Sequence, residues 1–187
     1  MKNFDFIKEL AEEIPAFHQL HAYCDKAEIF QKAFPEESAA NARKALEWLV
    51  KNHLAMANVT LAPHETLNNM LKRPQIDAFI NEDWEFEQNM RMVKKIGNYA
   101  AHTGAQQVKA NDAFICLRAL FYVATGFLYR WQAIRKMLAF DATLIPQDFT
   151  QIHASDNSEP TVSPDLTDHV SSEAINHPEP PKSQPSE

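Results

Sequence analysis

The chain has 187 residues, 45% hydrophobic and 23% charged, with three glycines and two cysteines. That composition excludes collagen-like, disulfide-stapled and wholly disordered chains, and so few glycines exclude a fold built on many tight β-turns. Seven acids against one lysine from Gln151 onward leave −6 of the net −7 there and −1 on residues 1–150, so no global basic field advertises nucleic-acid binding.

Hydrophobic spacing predicts helices throughout the first 140 residues. Phe4 to Glu13 reads as a short amphipathic helix ending near Pro15, and Ala16 to Ala33 as a second, stopped by Phe34-Pro35. Glu36 to Leu54 follows, where Pro35 and the acids Glu36 and Glu37 suit a helix N-terminus. Its apolar stripe is Ala39, Ala42, Leu46, Leu49 and Val50. Ala57 to Pro63 is a loop with turn-forming Asn58. Thr66 to Arg73 reads as a short helix ended by Pro74, with Ile76 to Ile80 as connection. Glu82 to His102 is the fifth helix, with Gly104 as its C-cap. Lys109 to Met137 is the last. Its apolar positions Ala113, Leu117, Leu120, Ala124, Phe127, Trp131 and Ile134 step by three and four.

The fold class expected is all-α, an antiparallel helical bundle over residues 1–140. Residues 141–187 are expected to be a disordered tail or linker. From Gln151 it holds six of the eleven prolines and no aromatic residue, too little apolar surface to offset the entropy of ordering. The longest apolar run, from Ala113 to Trp131, is broken by Arg118 and Arg130 and reads as a buried helix rather than a membrane span. The N-terminus carries acids where a signal peptide needs an apolar run, so a cytoplasmic setting with free Cys24 and Cys116 is expected.

The stretch from Arg91 to Gly104 carries the most chemistry. As a helix it places Arg91, Lys95, Asn98 and His102 on one face and Phe86, Met90, Val93, Gly97 and Ala101 on a core face. Gly97 costs about 1 kcal/mol in a helix interior relative to Ala, which close approach of a second helix would justify. A histidine beside cations and an amide can act as general acid or base and stabilise charge in metal-independent RNA cleavage. The same residues can instead fix the bundle in register, the commoner fate of such groups, or contact an anion locally. Arg43 and Glu47, four residues apart, read as a surface pair or as partners that reach Asn98 or His102 across the bundle.

His18, His21 and Cys24, with Asp25 adjacent, have donor chemistry for zinc, but their spacing does not share one side of a helix and no metal is expected. Cys116 sits among Phe114, Ile115 and Leu117 and reads as a small core residue. GxxxxGK[ST], GxSxG, HExxH and DEAD-like patterns are all missing, so no cofactor, ATP hydrolysis, serine hydrolysis or metal-dependent DNA cleavage is expected.

Two segments resemble the hallmarks of a helical domain of unknown function found at the N-terminus of many type I restriction enzyme R (HsdR) subunits. PEESAANARKALEWLV is similar to the first, an Ala-Arg-Lys-Ala-Leu-Glu run after a proline-led helix start. VKKIGNYAAHTG is similar to the second, an Ile-Arg-x-x-Gly-Asn-x-Ala-x-His run. MKNFDFIKEL and LNNMLKRPQIDAFI fit the segments around them, so the resemblance spans about Met1 to Arg135. It implies a HEPN-like bundle, a superfamily in which some members are RNases with an R-x(4–6)-H motif. Here no arginine lies four to six residues before His102, and the family's arginine falls on Lys94, which lacks the planar fork for phosphate.

The expectation is therefore a non-catalytic interaction module, accessory to restriction–modification or related DNA defence, with a protein partner or self-association and no membrane contact. The alternatives are a metal-independent endoribonuclease using His102 and Asn98 with Lys94, Lys95 or Arg91, and a helical domain that contacts nucleic acid through Arg91, Lys94 and Lys95.

Overall fold

Helix start and stop signals written along the chain translate into seven helices in the computed structural model, which describes residues 2–101 and 107–146. They are α1 (Asp5–Glu13), α2 (Phe17–Ile29), α3 (Pro35–Met56), α4 (Leu67–Met70), α5 (Pro74–Ile80), α6 (Trp84–Ala101) and α7 (Ala110–Arg130). A short 3-10 turn, Ala142–Leu144, follows. No strand occurs among the described residues, and the fold is all-α.

Local chemistry sets the helix ends. Pro35 occupies the first turn of α3 beside Glu36 and Glu37, where a missing N–H costs nothing and negative charge is favoured. Asn58, at φ 56°, then reverses the chain, and the Val59 amide returns to the Leu54 carbonyl at 2.9 Å. Before α6, the Asp83 carboxylate accepts from the Phe86 amide at 2.9 Å, an N-terminal cap.

Four long helices form the body. α3 packs against α2, α6 and α7, and α6 also packs against α7. Side-chain pairs fix the directions. Ala27 meets Ser38 and Phe17 meets Trp48, so α2 and α3 run oppositely. Arg43 meets Asn98, while Phe86 and Asp83 meet Phe127 and Arg130, so α6 runs against both α3 and α7. The core between them holds Leu46, Leu49, Leu54, Phe86, Met90, Leu120 and Phe127, all essentially inaccessible. α7 alone among the described helices is long and apolar enough to cross a membrane, but 67% of its apolar window is buried in the bundle, as befits a core helix.

Several expectations need correction. The last helix stops at Arg130 rather than Met137, because Gln132 takes a left-handed conformation, φ 60°, and the Ala133 amide turns back to the Leu128 carbonyl at 2.9 Å. Trp131 and Ile134 still pack on the core, so apolar spacing persists where the helix does not. The connection from Ile76 to Ile80 is itself helical, begun by Pro74, while the helix expected to run to Arg73 spans only Leu67–Met70. Ala101 is exposed, and Ile96 takes the buried place on α6. Contacts with the bundle continue beyond residue 140, where the expected tail begins. Phe140 stacks edge-on against Phe114 and Phe121, Ile145 is 4% exposed, and Asn3 exchanges two hydrogen bonds with the Asp141 backbone at 2.8 and 2.9 Å. The acidic segment 151–187, His102 and Gly104 lie outside the described residues.

Candidate functional site

Gly97 makes the α3–α6 seam possible. A methyl group there would collide with Arg43 Cβ and lie 2.9 Å from the Ala39 carbonyl oxygen, so the two backbones meet where α6 has no side chain. The Arg43 stem crosses this gap, and its Nε donates to Asn98 Oδ1 at 2.8 Å. Its other end lies 3.6 Å from Glu47 Oε2, and Glu47 Oε1 takes Lys51 Nζ at 2.7 Å. Arg43, Glu47 and Asn98 are thus joined in one half-buried chain of polar contacts across two helices. A hydrogen bond to a guanidinium in such a half-buried setting contributes about 1 kcal/mol, more than most exposed ion pairs.

The cationic side chains of α6 have different surroundings. Lys95 is exposed, and the Arg43 network is formed with Asn98, Glu47 and Lys51. Arg91 doubles back on Glu87, one turn earlier on the same helix, with Nε donating at 2.9 Å. Lys94 reaches across to α4 and donates to Asn68 Oδ1 at 2.9 Å. Arg91 and Lys94 therefore edge a cavity of about 150 Å³ between α6 and the α4–α5 segment. Leu71, Ile80 and Met90 form its apolar lining, and Lys72 completes the rim.

The zinc-type donors do not converge. His18 is exposed while Cys24, two turns on, is wholly buried, so one ion would have to be in solvent and core at once. Among the described residues no group of three His, Cys, Asp or Glu side chains is placed to hold a metal. Both cysteines are free. Burial pushes the Cys116 thiol up to about 12, and burial followed by the nearby acids Glu28 and Asp25 raises that of Cys24. Neither is poised as a thiolate nucleophile.

Two further clusters escaped the sequence reading. At one end of the bundle the Arg130 guanidinium lies 4.2 Å from the Phe86 ring centre and donates to Asp83 Oδ2 at 2.8 Å. Beside it, Trp131 Nε1 donates to His53 Nδ1 at 3.3 Å, and burial lowers the pKa of that imidazole. At the other end Glu28 is buried and its Oε1 accepts from the Asn3 amide at 3.0 Å and from Asn3 Nδ2 at 2.7 Å. The sequence held a signal for Glu28, which follows Leu20 and Cys24 at four-residue steps on the buried face of α2. It held none for Arg130 with Asp83, 47 residues apart.

Comparison with known proteins finds no match: no family model, no curated protein and no solved structure.

Proposed function

We propose that this chain is a HEPN-like helical bundle acting as a non-catalytic interaction module, accessory to restriction–modification or related DNA-defence machinery in the cytoplasm. The observation that carries this reading is the Arg43–Asn98 hydrogen bond over Gly97. It engages the arginine of the first resembling segment and the asparagine of the second in holding two helices together. Arg91 and Lys94 likewise have partners within the chain, Glu87 and Asn68. Groups so engaged serve register and recognition better than proton transfer. The link to restriction rests on the resemblance of the two segments around these residues.

Two measurements test it together. Purified protein is incubated with RNA in the presence of a chelator, and a tagged copy is used to capture partners from the native host. The expected results are intact RNA and recovery of a restriction-type helicase or methyltransferase subunit. Metal-independent cleavage by the wild type, abolished in His102→Ala, would instead make the chain an endoribonuclease.

A further inference from the structure

The cavity between α4–α5 and α6 combines two features. Part of its lining is apolar: Leu71, Ile80 and Met90 border a space of about 150 Å³, enough for one small side chain. Its rim is cationic, with Lys72, Arg91 and Lys94 against the single carboxylate of Glu87. That carboxylate is paired with Arg91, whereas Lys94 bonds only the neutral amide of Asn68. Lys72 is exposed, with no carboxylate in ion-pair reach among the described residues. Positive charge here is therefore in excess around a slot with an apolar floor.

We propose that this cavity docks a short acidic segment of a partner protein. One aliphatic side chain of the segment enters between Leu71, Ile80 and Met90, and its flanking carboxylates lie against Lys72, Arg91 and Lys94. Charge complementarity selects an acidic ligand, and the slot requires an apolar anchor within it. A nucleic-acid strand is the poorer fit. Its affinity grows with the number of phosphates neutralised along a basic track, and here three cations ring one small cavity. No aromatic side chain lines the slot to stack a base. The proposal deepens the reading of the chain as an interaction module, because it names the chemistry of the partner. It is tested without any host protein or RNA cleavage, so the two readings fail separately.

The probe is the peptide acetyl-Asp-Asp-Leu-Asp-Asp-amide, titrated into ¹⁵N-labelled full-length protein and followed by amide shifts. Saturating changes are expected around Asn68–Lys72, Ile80 and Glu87–Lys94. Replacing the leucine by serine is expected to weaken binding about tenfold, the cost of one lost aliphatic burial. Lys94→Glu is expected to abolish it. Lys72→Glu, at an exposed side chain, makes the same charge test independently of the Lys94–Asn68 contact. Three results would each overturn the proposal. One is no saturating change. Another is equal binding of the serine peptide. The third is tighter binding of single-stranded oligothymidylate at the same residues, which would make the cavity a nucleic-acid contact.

Discussion

At Gly97 and at Gly126 a helix gives up its side chain to a neighbour, but the neighbours differ in kind. Gly97 of α6 faces the root of Arg43 and the Ala39 carbonyl, both fixed to the α3 backbone. Gly126 of α7 faces the Phe86 ring, with Cδ2 2.9 Å from where a methyl would sit. α6 thus concedes space on one side and takes it on the other. The first seam is closed by polar contacts, Arg43 to Asn98 and Glu47. The second is closed by packed rings, with Phe79, Phe86, Phe127 and Trp131 in contact and the Arg130 guanidinium over two of them. Backbone against backbone leaves no freedom to relax, whereas a ring at the end of two rotatable bonds leaves some.

That difference sets the order of the expected effects. Gly97→Leu is expected to destabilise by more than about 2 kcal/mol even though it gains roughly 0.8 kcal/mol of helix propensity. Denaturant midpoints read it, and an unchanged or raised midpoint would mean that α3 and α6 do not meet at Gly97. Gly126→Ala is expected to cost less, about 1–2 kcal/mol, because side-chain atoms, the Phe86 ring and the Arg130 guanidinium, rather than backbone must shift. The two seams then part company in double variants. Phe86→Leu removes the clashing ring atoms, so the double variant with Gly126→Ala should cost less than the sum of the two single variants. Arg43→Ala keeps its Cβ and should leave the cost of Gly97→Ala unrelieved. Equal relief at both seams would erase the distinction.

A smaller effect isolates the polar seam alone. In a double-mutant cycle on Arg43→Ala and Asn98→Ala, a coupling of about 1 kcal/mol is expected for one half-buried, charge-assisted hydrogen bond. Additivity of the two single variants would show the contact to be energetically idle.

How far these seams were legible in the sequence follows from their geometry. Helical spacing alone put Gly97 and Asn98 on α6 and Arg43 on α3, and a glycine inside a periodic run asks for a close neighbour. The same spacing could not say that Arg91 and Lys94 turn toward α4. That depends on two short helices, one begun by Pro74, whose length is below what periodicity resolves. It also overran the end of α7, since Trp131 and Ile134 remain apolar for packing after Gln132 has broken the helix. Pairings such as Asp83 with Arg130 and Asn3 with Asp141 join distant parts of the chain, and nothing local marks them.

Among the titratable groups that burial perturbs, Glu28 and His53 at opposite ends of the bundle give the smallest expected effect, a difference in pH dependence. Burial raises the pKa of Glu28, and the nearby Asp25 pushes the same way, against the hydrogen bonds from Asn3 and the Phe4 backbone. Its second carboxyl oxygen has no partner among the described residues. The neighbours that face it are the Cys24 thiol and Asp25, the latter held by Lys2 at 2.7 Å. A raised folded-state pKa favours the native state below the ordinary glutamate value of 4.5 and loses that advantage as pH rises through the folded value. His53 behaves oppositely. Burial lowers its pKa, so its contribution is present above 6.5 and lost as pH falls through the folded value. Glu28→Gln keeps an acceptor for Asn3 and cannot ionise. The melting temperature of the wild type relative to Glu28→Gln is therefore expected to fall steadily from pH 4 toward neutrality. His53→Asn, compared in the same way, is expected to show the wild type losing ground as pH drops from 7 to 5. Parallel curves for Glu28→Gln and the wild type would mean that Glu28 is already solvated as a carboxylate, and that the Asn3 contact is carried by charge rather than by a neutral acid.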